Sequence, residues 1–214
     1  MLKDKRILIF TGGNLGPAGF EEIQEDDILV GVDRGALHLI RKQIYPDICL
    51  GDFDSVSKEE EREIEKHCKQ FISCDPVIKD LTDTEMAFTW ALEQQPKEIW
   101  VMGGIGSRFD HSLANVHLLL KGLQAGIPCC IRDEHNEVRL TNHHMTVKKG
   151  IYSHVSLLPL SMEVTGINLR GFQYPLENAT VSIGDTIGIS NVILGDAGEI
   201  EIKSGYLLVI MSRD

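Results

Sequence analysis

Over the first two thirds of the chain, short apolar runs alternate with longer segments whose apolar positions recur at helical spacing. RILIFTGG (6–13) reads as a strand entering a loop, and DILVGVD (27–33) as a second strand reaching an acidic turn. RGALHLIRKQI (34–44) predicts the following helix, and DICLGDFD (47–54) a third strand with an acidic end. The polar SKEEEREIEKHC (57–68) predicts a helix, QFISCD (70–75) a short strand, and TDTEMAFTWALEQQ (82–95) another helix. EIWVMGG (98–104), DHSLANVHLLLKGLQAG (110–126) and IPCCIRD (127–133) continue as strand, helix and strand. This alternation predicts an α/β domain built on a mainly parallel sheet.

After about residue 136 the pattern shortens. HMTVKKG (144–150), YSHVSLLPL (152–160), MEVTGINLRG (162–171), ATVSIGDTIGIS (179–190), GEIEIKSG (198–205) and YLLVIMS (206–212) are strand-like runs divided by glycine or polar turns. They predict a small antiparallel sandwich or barrel. The expected division is therefore an α/β domain at 1–136 and a β domain at 137–214, with the boundary near residues 134–142.

Two helix starts carry local signals. Thr82 and Glu85 have the spacing of a reciprocal capping box. Asp110 precedes Leu113, Val116 and Leu120, which makes it a candidate N-cap.

Composition narrows the function class. The 43% hydrophobic content suffices for a buried core. With 21 basic and 32 acidic residues, the net charge of −11 argues against a broad nucleic-acid surface. It leaves room for a phosphorylated small molecule, because a bound cation reverses the local field. The first apolar stretch, residues 7–10, has the length of a strand rather than of a signal peptide or membrane helix, so a cytoplasmic protein is expected. Cys49, Cys68, Cys74, Cys129 and Cys130 form no CxxC pair and read as buried thiols.

The chemistry belongs at the loops that follow the strands. In an open parallel sheet, the carboxyl ends of the strands and the adjoining helix starts line one crevice. Gly12, Gly13 and Asn14, then Asp33, Arg34 and Gly35, then residues 51–54 and 103–110 all fall on such loops. Glycines there admit close backbone approach, and helix N-termini favour anions. Neither a Walker sequence nor the dinucleotide fingerprint is present. Asp52 and Asp54, two apart, share a side if the chain stays extended, while Phe53 turns away into apolar surroundings. The pair is either a site for a hard cation such as magnesium or a solvated Asx-type turn. Asp80 and Asp83 bring further carboxylates, which equally suit a helix N-terminus. Arg108 can hold a phosphate or pair with Asp110, and His111 follows them. His143 and His144 suit a turn or a solvated face better than a metal centre.

In order along nearly the whole chain, GVDRGA (31–36), GDFDS (51–55), DLTDTEMA (80–87), GGIGSRFDH (103–111), GFQYPL (171–176) and GISN (188–191) closely resemble the bacterial thiamine pyrophosphokinases. The resemblance implies transfer of the pyrophosphoryl group of ATP to thiamine, giving thiamine diphosphate and AMP. It further implies a three-layer N-terminal α/β domain, a C-terminal β-sandwich, magnesium dependence, and a homodimer with active sites at the subunit interface. Asp52, Asp54 and Asp83 match the family's magnesium-binding acidic positions. Gly12, Gly13, Asn14, Asp33, Arg34 and Gly35 match its nucleotide side, and Arg108 and Asp110 the segment near the transferring group and thiamine. Ser190 and Asn191 match the thiamine-binding segment. Where some members carry tryptophan, this chain has Tyr174, whose ring can face a cationic thiazolium. Two other classes stay open: a pyrophosphokinase for another heterocyclic alcohol, and a non-catalytic nucleotide or thiamine sensor.

Overall fold

β1 (Arg6–Phe10) is apolar at every position after Arg6 and is buried on both faces, as the central strand of a parallel sheet must be. The computed structural model describes residues 2–13, 15, 16, 18–73 and 81–214. It divides into two compact units, Met1–Glu134 and His135–Asp214. Asn14, Cys74 and Asp80 lie outside the described residues.

In the first unit β1 is followed by α1 (Ala18–Glu21), β2 (Ile28–Val32), α2 (Arg34–Arg41), β3 (Ile48–Gly51), α3 (Lys58–His67) and β4 (Gln70–Ser73). Then come α4 (Asp83–Glu93), β5 (Glu98–Met102), α5 (Phe109–Gln124) and β6 (Cys129–Arg132). The strands pair in parallel in the order β4-β3-β2-β1-β5-β6. Strand order therefore reverses between β1 and β5, the place where an open α/β sheet forms a crevice.

Side chains sort by the two-residue period of the strands. Leu8, Phe10, Leu29, Trp100, Met102 and Cys130 pack with Leu39 of α2, and Cys49 with Ala36, Leu37 and Ile40 of α2 and Ile64 of α3. The alternate residues Ile7, Ile9, Val30, Ile99 and Val101 are also buried and face the other way. There α4 packs across β1, β2, β3 and β5, and α5 packs on β6. Helices thus cover both faces. Burying one such aliphatic or aromatic side chain contributes about 1.5–3 kcal/mol.

The helix starts differ from the sequence expectation. Thr82 does cap α4, accepting from Glu85 N at 3.2 Å. The Glu85 carboxylate, however, accepts from Lys121 Nζ at 2.6 Å instead of completing a box. A full capping box forms at α3, between Ser57 and Glu60. At α5 the N-cap is Arg108, not Asp110, which lies in the first helical turn. Helix α1 falls between the first two strands, where the sequence pattern carries no element.

The second unit holds β7 (Asn136–Thr141), β8 (His144–Lys148), β9 (His154–Pro159), β10 (Glu163–Arg170), β11 (Ala179–Ser182), β12 (Ala197–Glu201) and β13 (Leu207–Ser212). Strands β7, β13 and β9 pair antiparallel, and β11-β10-β12-β8 form an antiparallel four-stranded array. Val155, Leu157, Leu207 and Val209 from the first set pack with Val164, Ile167, Val181 and Ile200 from the second. Two sheets facing across one core make a sandwich. β7 occupies the stretch read as an inter-domain boundary; its NEVRLT alternates in polarity and fills an edge of the three-stranded set. His144 is exposed on β8 and bonded through Nε2 to Glu199 Oε2 at 2.6 Å, as a solvated-face residue. Among the described residues no helix is long and apolar enough to cross a membrane.

Candidate active site

The carboxyl ends of β1, β2 and β5 open into a cavity of about 580 Å³. Its walls include Thr11, Gly12, Gly13, Asp33, Arg34 and Asp83, and beyond β5 Gly103, Gly104 and Arg108. The glycines here serve backbone proximity. A Cβ on Gly35 would stand 1.9 Å from Phe10 O, and one on Gly13 would stand 2.1 Å from Gly103 O. Helix α2 thus starts against the end of β1, and the β1 and β5 loops touch main chain to main chain.

The loop after β5 is fastened from inside. Thr11 Oγ1 donates to Gly103 O at 2.5 Å, and Asn115 Nδ2 to Gly104 O at 2.8 Å. Gly106 N donates to Ser112 Oγ at 3.0 Å, and the Ser112 hydroxyl also bonds Arg108 O at 3.0 Å. Sequence reasoning missed Thr11, Ser112 and Asn115. The available signal was Ser112 and Asn115, two polar residues three apart on the helix face that continues through Leu118, Leu119 and Gly122.

The acidic loop is built on an unusual backbone. Phe53 has φ 56°, a conformation costly for a bulky residue. Its ring is 2% exposed and stacks on Phe71 at 4.7 Å between centroids. The expected inward anchor is therefore present, but the extended chain expected around it is not. Asp52 and Asp54 converge because the chain turns at Phe53, with Asp54 N donating to Asp52 Oδ1 at 3.0 Å. Asp33, itself at φ 46°, accepts from Phe53 N through Oδ1 at 3.1 Å. Carboxylate oxygens of Asp33, Asp52 and Asp54 fall within 4.8 Å of one another. Asp83, the first residue of α4, lines the cavity but is not one of this trio. Asp33, read from the sequence as a nucleotide-side residue, is thus brought into the acidic group.

Burial, then the charge of Asp83, and more weakly those of Asp52 and Asp54, push the Asp33 carboxyl up to about 7, against the Phe53 N–H bond. An unfolded aspartate titrates near 4 (about 3.9). Between these values the folded chain holds the extra proton, so this group's contribution to stability is lost as pH rises through about 7. Asp33→Asn keeps the acceptor for Phe53 N and tolerates positive φ. In chelator at pH 8 it should melt roughly 5 °C above wild type, with the gap narrowing below about pH 7 and closing near about pH 4. Identical melting at pH 8 would rule out this charge strain.

Two cations face the cavity. Arg34 Nε donates to Ser55 O at 2.9 Å, which fixes the guanidinium beside the acidic loop. Arg108 Nη2 and Nε reach Asp110 Oδ2 and Oδ1 at 2.6 and 3.3 Å. This pairing holds the Arg108 charge and keeps the Asp110 carboxyl below its usual range.

In the second unit, Asn191 is buried and its amide clamps the main chain of one residue. Oδ1 accepts from Tyr174 N at 3.0 Å, and Nδ2 donates to Tyr174 O at 2.7 Å. Tyr174 itself is 60% exposed. Ser190, at φ 59°, donates its N–H to Ser156 Oγ at 3.0 Å and exposes its side chain. Of the three residues of this unit expected to bind thiamine, Tyr174 and Ser190 are exposed and Asn191 positions Tyr174. Asn191→Ala takes this partner from the part-buried Tyr174 N–H and C=O, so urea unfolding should show a loss of about 1 kcal/mol. An unchanged midpoint would mean that the clamp contributes nothing.

Comparison with known proteins follows the same division. A family model described as "Thiamin pyrophosphokinase, catalytic domain" matches residues 21–131. A second, "Thiamin pyrophosphokinase, vitamin B1 binding domain", matches residues 142–207. The thiamine pyrophosphokinase of Bacillus subtilis (strain 168) is 35% identical over 214 residues, covering 98% of this chain and 100% of its own. A crystal structure of the Bacillus subtilis protein superposes with a TM-score of 0.90 at 33% identity, over 98% of this chain and 99% of that one. The thiamin pyrophosphokinase from Geobacillus thermodenitrificans superposes with a TM-score of 0.87 at 35% identity, over 98% of both chains.

Proposed function

The chain belongs to the thiamine pyrophosphokinase family, and from that premise we propose how its residues divide the work. The enzyme transfers pyrophosphate from ATP to thiamine, forming thiamine diphosphate. The observation that carries the assignment of roles is the convergence of Asp33, Asp52 and Asp54 beside a glycine-walled cavity at the sheet's switch point.

Three carboxylates this close repel unless a cation lies among them, and oxygen-only donors suit magnesium. The raised Asp33 carboxyl supports the same fit. Asp52, Asp54 and Asp33 would hold the ion, with Asp83 completing the acidic wall. A magnesium ion held there would supply positive charge that offsets the charge of pyrophosphoryl transfer. Gly12 and Gly13 let the phosphates approach the main chain, and Arg34 and Arg108 stabilise the charge that develops. Asp110 holds Arg108 in place. The thiamine hydroxyl attacks the β-phosphorus and AMP leaves. Tyr174, held by Asn191, offers its ring to the thiazolium, and Ser190 offers a hydroxyl. The same reading makes the protein a cytoplasmic homodimer with active sites at the subunit interface. Exposed Tyr174, Ile187 and Leu194 supply apolar surface for that association, and the described cysteines are thiols.

The test is mass spectrometry of folded protein incubated with ATP, magnesium and thiamine. AMP and thiamine diphosphate should appear in equal amounts. Production of neither, beside a working positive control, overturns the reading.

A further inference from the structure

Cys49, fully buried in β3, and Cys68, the half-buried C-cap of α3, are hydrogen-bonded side chain to side chain. Cys68 packs against the cluster that Cys49 forms with Phe53 and Ile64. The main chain fixes this approach. Lys69 N donates to Pro46 O at 3.3 Å and Gln70 N to Asp47 O at 2.9 Å, so the residues after Cys68 run beside those before Cys49. The Cys68 thiol itself donates to Gln70 O at 2.9 Å. Between the two cysteines in sequence lie Asp52, Phe53 and Asp54, so the pair brackets the acidic turn.

We propose that Cys49 and Cys68 form a reversible oxidation site, a dithiol that a peroxide converts into a disulfide clasping the acidic segment 49–68. Neither thiol takes part in pyrophosphoryl transfer, so the site stands apart from that reading. The two sulfurs have different roles. The Cys49 thiol, and more weakly the main chain of Gln70 and Cys49, favour the Cys68 thiolate, whose pKa falls despite burial. The same hydrogen bond, and then burial, push the Cys49 thiol up. Cys68 therefore attacks first and Cys49 resolves. One peroxide oxygen bonds to Cys68 Sγ as the O–O bond breaks, and the departing hydroxide takes a proton to become water. Cys49 Sγ then displaces the sulfenic hydroxyl, which leaves as water with the Cys49 proton. Two thiols are oxidised, and one peroxide is reduced to two waters. A small dithiol reverses the bond by exchange. Cys49 is held in β3 between β2 and β4, so Cys68 and the end of α3 close the remaining gap. The bond shuts a loop of about 20 residues, long enough to restrict the unfolded chain.

The experiment treats the full chain with hydrogen peroxide, caps the remaining thiols and maps its peptides without reductant. Mass spectrometry should find Cys49 joined to Cys68, the pair lighter by two hydrogens. The oxidised protein should melt about 8 °C above the reduced one, a shift that dithiothreitol abolishes and that Cys68→Ser lacks. In Cys49→Ala, Cys68 should stop at the sulfenic acid and be trapped by dimedone. Cys68 is half-buried, so Cys68→Ser leaves the core in place and tests the site even if Cys49→Ala does not fold. No crosslink, a bond from either residue to another cysteine, or conversion of Cys68 to the sulfinic acid in place of the bond overturns the site. So does a Cys49–Cys68 bond that leaves the melting temperature unchanged.

Discussion

Asp52→Asn combined with Asp54→Asn should lower turnover on the order of 10³-fold while leaving a folded protein. Asparagine at 52 still offers Oδ1 to Asp54 N, so the turn at Phe53 keeps its hydrogen bond. What disappears is charge. Losing several kcal/mol of metal-assisted transition-state stabilisation corresponds to roughly that factor, at about 1.4 kcal/mol per tenfold. The double variant should also melt no lower than wild type in chelator, because two charges facing Asp33 are gone. Turnover against magnesium concentration separates the outcomes. A folded double variant with near-normal turnover and magnesium dependence would remove these residues from the metal site.

Gly35→Ala should be the most damaging single methyl in the first unit. Its Cβ would stand 1.9 Å from Phe10 O and 2.8 Å from Thr11 N, both main-chain atoms at the end of the central strand. No rotamer change relieves such a contact, so α2 must move off β1, at a cost of about 3 kcal/mol or more. Arg34 and Asp33 precede Gly35 directly, so any fraction that folds should bind ATP poorly. Gly106→Ala is the control: among the described residues its Cβ meets no atom within 4 Å, and stability should change by less than about 0.5 kcal/mol. Urea unfolding of both variants decides. Equal midpoints would mean that the α2–β1 approach is loose.

Strands buried on both faces leave a plain trace in sequence. ILIF, ILVGV and IWVM announce themselves as apolar runs, and the polar helices between them fix the parallel topology. β7 was harder, because NEVRLT alternates polar and apolar residues even though both its faces are buried, and it sits where the pattern changes. At the site, residue identity was legible and backbone conformation was not. DFD showed an acidic pair, yet the positive φ at Phe53 and Asp33 arises from packing against Phe71 and from one long-range hydrogen bond. Nothing local foretells either, so the entry of Asp33 into the acidic group was hidden. Asp110 looked like an N-cap because it precedes an apolar period, but Arg108 begins the helix two residues earlier.

The bond from Phe53 N to Asp33 also makes a single amide a clock for the active site. That proton can exchange with solvent only when the carboxylate lets go, and the Phe53–Phe71 stack resists the accompanying swing of the loop. Its exchange rate therefore counts how often the acidic loop leaves its mounting. β4, which carries Phe71, is the terminal strand of the parallel run, where local opening begins most readily. Slow fraying at that margin would dismantle the acidic loop first, while the middle of the sheet stays intact.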